Sequence, residues 1–349
     1  MIKEISNLLK HGVNKHHFPG ASYTIVYEDG TTYSDYVGYK QILPYKILNQ
    51  GNEIYDCASL TKVVSTTTMI MKLIEEEKLE LTTKVQSILT SFKHENITIY
   101  DLLTHSSGLP ADISGARLLR NKDDVLNRIF EFDLIYKTGE KIIYSDIGFI
   151  ILGLIIEKIT SKDLNEYAEE VIFNPLNMKD TSYTPNKDRC APTEHRVDDV
   201  FQGLLKGIVH DEKSFAMNGL SGHAGMFSTP KDLSKFILSI LRNDELILKK
   251  DTVNSLFLDR EKYVTENGNT IIRSLGWDKP TKGSTSGDNT SFENTILHTG
   301  FTGCNMWIDT EHGIGFVLLS NAVHPEREKN GIRKYRNTIG NIIIPKEVI

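Results

Sequence analysis

Little in this chain points to a metal, a membrane or a nucleic acid. Cysteine is scarce: Cys57, Cys190 and Cys304 are the only three in 349 residues. They lie far apart and form no C-x-x-C pair, which argues against a zinc knuckle. An odd count without a framework fits a reducing compartment. Long apolar runs are also missing. The most apolar stretch, residues 149–156, is too short to cross a bilayer and contains Gly153. The opening MIKEISNLLKHGVNKHHFPG carries charges throughout. It lacks the apolar core and small-residue cleavage site of a signal peptide. As it stands the sequence reads as cytoplasmic, with no membrane span; a leader removed beforehand would make it an exported protein. No long block of like charge occurs. The net charge of −6 gives no electrostatic footprint for nucleic acid. Internal repeats and low-complexity tracts are absent.

What is present is ordinary globular composition, 39% apolar and 25% charged, in a chain long enough for one large domain or two coupled ones. Apolar residues at Ile2, Ile5, Leu8, Leu9 and Val13 have helical spacing. Residues 21–28 and 31–39 read as strands joined around Asp29-Gly30, a strong hairpin signal. The pattern turns helical over 59–78. Helix and loop follow, with helices expected over 98–104, 123–132, 147–160 and 164–171. Strands return at 294–299, 304–309 and 315–320, and a last helix is expected from about 326 to 341. Strands at both ends and helices between imply an α+β fold. An antiparallel sheet of N- and C-terminal strands is flanked by helices, with a mostly α-helical inserted region. This divides the chain into a sheet domain, 1–78 plus 202–349, and a helical region, 79–201. Ligand sites favour such junctions.

Ser59-Leu60-Thr61-Lys62 is the first chemical signal. Positions three apart share a helix face, so Lys62 can reach the Ser59 hydroxyl. A serine needs an adjacent base to become a nucleophile, and a desolvated lysine can lose its proton near neutral pH. At a helix start, the Ser59 N–H is free to bind an oxyanion. The same spacing recurs at Ser228-Thr229-Pro230-Lys231, where a helix N-cap followed by proline explains it. Tyr144-Ser145-Asp146 is the second signal: a tyrosine near a lysine can move protons, and Asp146 is either a helix cap or a substrate contact. His298-Thr299-Gly300 ends a strand, where glycine permits close backbone approach and the Phe301 N–H can be a second oxyanion donor.

Together these segments resemble the serine β-lactamase and penicillin-binding protein superfamily, in its class C-like branch with esterases, D-aminopeptidases and muropeptide amidases. Its boxes are S-x-x-K, Y-x-N and K-T-G or H-x-G, in this order and at comparable spacing. Leu102–Pro110 (LLTHSSGLP), Thr138–Tyr144 and Gly222–Thr229 (GHAGMFST) match further segments of that branch. A literal K-T-G at Lys137-Thr138-Gly139 precedes Tyr144 and is not the third box. The resemblance implies a β-lactamase/transpeptidase-like fold and an acyl-enzyme mechanism. In it Ser59 is the nucleophile, with Lys62, Tyr144 and His298 catalytic; Tyr144, partly ionised beside Lys62, is the proton carrier. Ser59 and Phe301 supply the oxyanion N–H groups, and Asp146, Thr299 and Gly300 contact substrate. His105 and His223 are weaker pocket candidates, as is His210-Asp211. No metal or organic cofactor is required, and the expected partner is a small molecule or short peptide; the oligomeric state is unreadable. Two departures matter. Asp146 stands for Asn and cannot donate a hydrogen bond when ionised. His298 stands for Lys and is mostly neutral at pH 7. Both weaken the expected grip on penicillins. A small amide or ester substrate, such as a muropeptide or D-amino-acid peptide, therefore ranks above a true β-lactamase or penicillin-binding protein. A catalytically silent binder of peptidoglycan fragments is the remaining alternative.

Overall fold

The hairpin around Asp29-Gly30 forms as expected in a computed structural model that describes residues 1–346; positions 347–349, the tail of the expected sheet domain, lie outside the described residues. Its strands, Gly20–Tyr27 and Thr32–Gln41, pair antiparallel with Tyr23 opposite Asp35. The other edge of Gly20–Tyr27 pairs with Ile314–Ser320, so Tyr23 also faces Leu318. The full sheet has six strands in the order Thr295–Thr299, Asn305–Asp309, Ile314–Ser320, Gly20–Tyr27, Thr32–Gln41, Ile47–Leu48. The two chain ends thus build one sheet, as the strand pattern implied.

Alternation along the strands sorts side chains to two covered faces. Tyr23, Ile25, Trp307, Phe316 and Leu318 pack with Ile5 and Leu9 of helix Ile2–Asn14 and with Ile339 and Ile343 of helix Arg333–Ile343. Val26, Met306, Ile308, Val317 and Leu319 face the larger core, which includes Leu233, Phe236 and Ile237 of helix Pro230–Arg242. That core continues into the helical region. Helix Asp146–Thr160 is buried from Ile147 to Ile156.

Several local expectations shift. The stretch 59–78 is not one regular helix: Lys62–Thr67 is wound wide, with α-helix only over Thr68–Glu75. The Thr68 hydroxyl bonds the Val63 carbonyl (3.2 Å) and the Thr66 hydroxyl bonds the Gly222 carbonyl (2.6 Å) across the widened turn. The last helix begins at Arg333 rather than 326, because Gly331 N–H and Asn330 Nδ2 are drawn off to the His17 and Phe301 carbonyls. Helix 164–171 also splits, into Leu164–Ala168 and a wide turn Glu169–Phe173. Short strand pairs were not foreseen: Tyr55–Asp56 with Phe227–Ser228, Glu261–Val264 with Thr270–Arg273, and His195–Val197 with Gln202–Leu204, the last straddling position 201/202. At Ser228-x-x-Lys231 the Thr229 hydroxyl accepts the Asp232 N–H (3.1 Å) and Pro230 opens the helix, as a cap requires. Among the described residues no helix is long and apolar enough to cross a membrane.

Candidate active site

The turn carrying Ser59 is held from below. Asp56 ends a short strand and receives the Ala58 N–H at Oδ1 (2.8 Å) and the His210 N–H at Oδ2 (2.7 Å). Ala58 sits at φ +46°, a left-handed conformation costly for a residue with a Cβ. The Thr61 hydroxyl bonds back to the Ala58 carbonyl (2.6 Å). Ser59 emerges half-buried just ahead of the wide helical turn.

Lys62 is fully buried, and its Nζ lies 3.0 Å from Ser59 Oγ, 3.1 Å from the His223 carbonyl and 2.8 Å from Asp146 Oδ1. Three acceptors use all three ammonium hydrogens. Burial presses Lys62 toward neutrality, but the Asp146 carboxylate, with Tyr144, outweighs it and raises its proton affinity. The expectation that a desolvated lysine can lose its proton meets an opposing carboxylate here: the ion pair favours the charged form of Lys62, which can take the Ser59 proton only while passing one on. The His223 carbonyl reaches Lys62 because helix Asp146–Thr160 packs directly on Gly222. A Cβ there would lie 2.1 Å from the Phe149 carbonyl oxygen.

The LLTHSSGLP segment is a clamp for the second box. The His105 carbonyl accepts Ile143 N–H (2.9 Å) and His105 Nδ1 accepts Ser145 N–H (3.0 Å). Ser145 Oγ bonds the Pro110 carbonyl (2.6 Å) and receives Gly148 N–H (3.3 Å). Ser145, not Asp146, is therefore the helix cap, which frees the Asp146 carboxylate for the lysines. Lys137-Thr138-Gly139 is a turn rather than helix, and Thr138 Oγ1 bonds the Ser107 carbonyl (3.0 Å), so it braces this clamp. The Tyr144 ring centroid lies 4.8 Å from Lys62 Nζ and 5.4 Å from the Arg273 guanidinium carbon. The His105 and His298 rings lie 4.7 and 5.9 Å from it.

Both histidines are neutral. Burial, then Arg273 and Lys62, pushes His105 well below the ordinary imidazole range. Burial, then Lys62 and Arg273, pushes His298 down to about 3. His298 Nδ1–H donates to the Thr299 carbonyl (2.9 Å), leaving Nε2 a lone-pair acceptor with no partner among the described residues. Gly300 is needed for a reason other than substrate approach. A Cβ there would lie 2.7 Å from the Cys57 carbonyl oxygen, so the third box presses against the nucleophile turn itself. That contact brings Phe301 beside Ser59. Among the described residues neither the Ser59 nor the Phe301 N–H has an acceptor. From helix Arg333–Ile343, Arg336 steadies this strand end by donating to the Cys304 carbonyl (2.8 Å).

Beyond Lys62 lies a charged cluster centred on Lys213, a residue that no motif marked. Lys213 Nζ contacts Asp112 Oδ1 (2.7 Å), Asp211 Oδ2 (3.0 Å) and Asp146 Oδ2 (3.2 Å). His223 Nε2 meets Asp211 Oδ1 (2.7 Å) and its Nδ1 meets Ser221 Oγ (2.9 Å). His223 thus braces Asp211 rather than lining the pocket freely. Asp146, Asp211 and His223 offer ligand atoms within 4.8 Å of one another, a spacing a metal could use. The Lys213 ammonium already bridges both carboxylates and both His223 nitrogens are engaged, so these residues do not fit an ion. Burial opposes the charge on Asp146, but Lys62, His223 and Lys213 hold its carboxyl down to about 2. A cavity of about 230 Å³ opens beside Ser59, lined by Tyr144, Asp146, Asp211, Lys213 and Phe301 among others. At its rim His210 stacks on Phe301 (5.6 Å) and meets Glu194 (3.2 Å). The buried Arg273, paired with Asp278, was also not singled out from the sequence. Its neighbours come together only through the fold.

Comparison with known proteins identifies the family. The beta-lactamase family matches residues 5–339. The chain belongs to the beta-lactamase family. A similar protein is an N-acetylmuramyl-L-alanine amidase of Bacillus subtilis, 30% identical over 90% of this chain and 80% of the relative. A putative D-alanyl-D-alanine carboxypeptidase of Escherichia coli is 32% identical over 78% of this chain and 69% of the relative. The solved D-amino acid amidase of Ochrobactrum anthropi superposes with a TM-score of 0.77 at 19% identity, covering 99% of this chain and 98% of that one, a likeness of fold. This beta-lactamase-family chain is a serine hydrolase with the β-lactamase/transpeptidase-like α+β fold.

Proposed function

We propose that Ser59 is the nucleophile of a two-step acyl transfer in the class C-like branch, acting on a small amide or ester. The substrate class we favour is the amide of a muropeptide or D-amino-acid peptide. The observation that carries this reading is the 3.0 Å contact between Lys62 Nζ and Ser59 Oγ, beneath two N–H groups without acceptors. Ser59 Oγ attacks the carbonyl carbon, and its proton passes to the Lys62/Tyr144 pair. Lys62 accepts it as it gives a proton to the Asp146 carboxylate at Oδ1, 2.8 Å away, or to Tyr144 as its phenolate. The Ser59 and Phe301 N–H groups stabilise the oxyanion, on the order of 3 kcal/mol per donor. The proton then goes to the leaving nitrogen, the C–N bond breaks, and water releases the acyl group by the reverse sequence. Thr299 and Gly300 would flank the bound acyl chain, and His298 Nε2 would accept a hydrogen bond.

The departures favour amides without a penicillin-like carboxylate. Asp146 is an ionised acceptor, and His298 carries no charge to hold a carboxylate. The amidase and carboxypeptidase relatives support amide chemistry on cell-wall peptides. The test is product analysis with a muramyl-L-alanine peptide, a D-alanyl-D-alanine peptide, a D-amino acid amide, a p-nitrophenyl ester and a penicillin. Turnover of an amide with slower or no penicillin turnover is expected. Rapid penicillin hydrolysis with inert amides would overturn the reading.

A further inference from the structure

We propose that Lys213 is a positioning residue of this site: its ammonium holds the Asp146 carboxylate in the orientation that grips Lys62. The proposal rests on the assignment of Ser59 and Lys62 made above. Lys213 lies on the short helix Glu212–Ala216, and its side chain is 3% exposed. Its three ammonium hydrogens match three carboxylates, Asp112, Asp146 and Asp211. The two oxygens of Asp146 are divided between two lysines, Oδ2 with Lys213 and Oδ1 with Lys62. A continuous line of contacts therefore runs from Lys213 through Asp146 and Lys62 to Ser59 Oγ.

The need for a second cation follows from the charges that face Asp146. Lys62 approaches from the nucleophile helix, Lys213 and Asp211 from the segment at 211–213, and His223 from the loop after Gly222. Asp211 repels Asp146, and Asp112 adds a third carboxylate at the cluster. With Lys213 removed, Asp146 would keep Lys62 and the neighbouring His223, while Asp112 and Asp211 would lose the cation they share with it. Like charges then favour protonation of one carboxylate. A protonated Asp146 loses the charge that holds Lys62 as a cation. Asp146 stands where the family pattern has asparagine, and Lys213 meets the charge that this replacement adds. Lys213 is therefore the counterpart of that replacement, and it acts through Asp146 rather than on the substrate.

The experiment is the pH dependence of kcat/KM for a p-nitrophenyl ester, for wild type, Lys213→Met, Lys213→Arg, Asp146→Asn and the Lys213→Met/Asp146→Asn double variant. Lys213→Met is expected to move the acid limb up by at least about one pH unit, so that the loss of activity grows as pH falls across that limb. Lys213→Arg should restore most of the wild-type limb. In the Asp146→Asn background, Lys213→Met should move the limb no further. An equal loss at every pH, or a shift that persists without the Asp146 carboxylate, overturns the proposal. If circular dichroism shows Lys213→Met unfolded, Lys213→Gln, which keeps a hydrogen-bond donor without the charge, should give a shift of the same sign; no shift overturns the proposal. A wild-type protein that never acylates at Ser59 would instead overturn the underlying reading.

Discussion

Asp146→Asn tests the charge state of the site most sharply. The substitution removes what is, among the described residues, the only carboxylate on Lys62, whose side chain is 0% exposed, while keeping an amide of similar size. The Ser59 hydroxyl and the His223 carbonyl remain as neutral partners. Breaking a buried pair in this way costs about 3–5 kcal/mol. The retained amide oxygen puts the expected loss at the lower end, about 3 kcal/mol at pH 7, or about 4 °C in Tm for a chain of this length. The sign with pH follows from linkage. In the native protein Asp146 raises the proton affinity of Lys62, so that stability is complete below the unfolded lysine value and is lost as pH rises through the folded one. In the variant the largest charge opposing burial is gone, and burial lowers it. The folded variant then binds fewer protons than the unfolded chain in the alkaline range, so its stability rises with pH there. The gap between the two proteins should be widest near pH 7 and close toward pH 10. Urea unfolding at pH 7 and pH 9.5 measures it. Equal stabilities at both pH values would refute the claim that Asp146 holds Lys62 as a cation.

Three further outcomes follow from the same geometry. Gly300→Ala places a methyl 2.7 Å from the Cys57 carbonyl oxygen and must displace the Phe301 N–H; kcat for an active ester should fall about 10²–10³-fold, and a change below threefold would contradict the oxyanion assignment. His298, held neutral down to about 3, and His105, also lowered, bind no proton in the folded state where the unfolded chain does. Stability should therefore fall as pH drops below about 6.5, by about 1.4 kcal/mol per unit for each histidine, and His298→Gln should flatten the slope measured by urea titration. Thr229→Ala removes the cap of helix Pro230–Arg242 and should cost about 1 kcal/mol in thermal unfolding without changing acylation at Ser59.

Much of the architecture was legible because its signals are local. Asp29-Gly30 marks a hairpin, alternation marks strands, and Ser59, Tyr144 and His298 sit in ordered segments. The second S-x-x-K copy was recognisable as a cap from Thr229 and Pro230. What stayed hidden depends on tertiary approach. Lys213, Arg273 and Arg336 carry no spacing that links them to Ser59; only packing brings them there. The roles of Asp146 and Lys62 were legible as identities but not as a pair, because their charge states depend on burial and on Lys213. The widened turn after Lys62 answers to hydroxyl contacts with Val63 and Gly222, which helical periodicity does not encode. Gly300 was read as room for a substrate; its close approach to the Cys57 carbonyl is a second reason for glycine that only the fold reveals.

The central claim is that Ser59, not Ser228, forms the acyl bond. Intact-mass spectrometry after a p-nitrophenyl ester or a fluorophosphonate, followed by peptide mapping, measures this directly. The account predicts one adduct, on the peptide containing Ser59, absent from Ser59→Ala and retained in Ser228→Ala. An adduct that survives Ser59→Ala, or one mapped to Ser228, would contradict it.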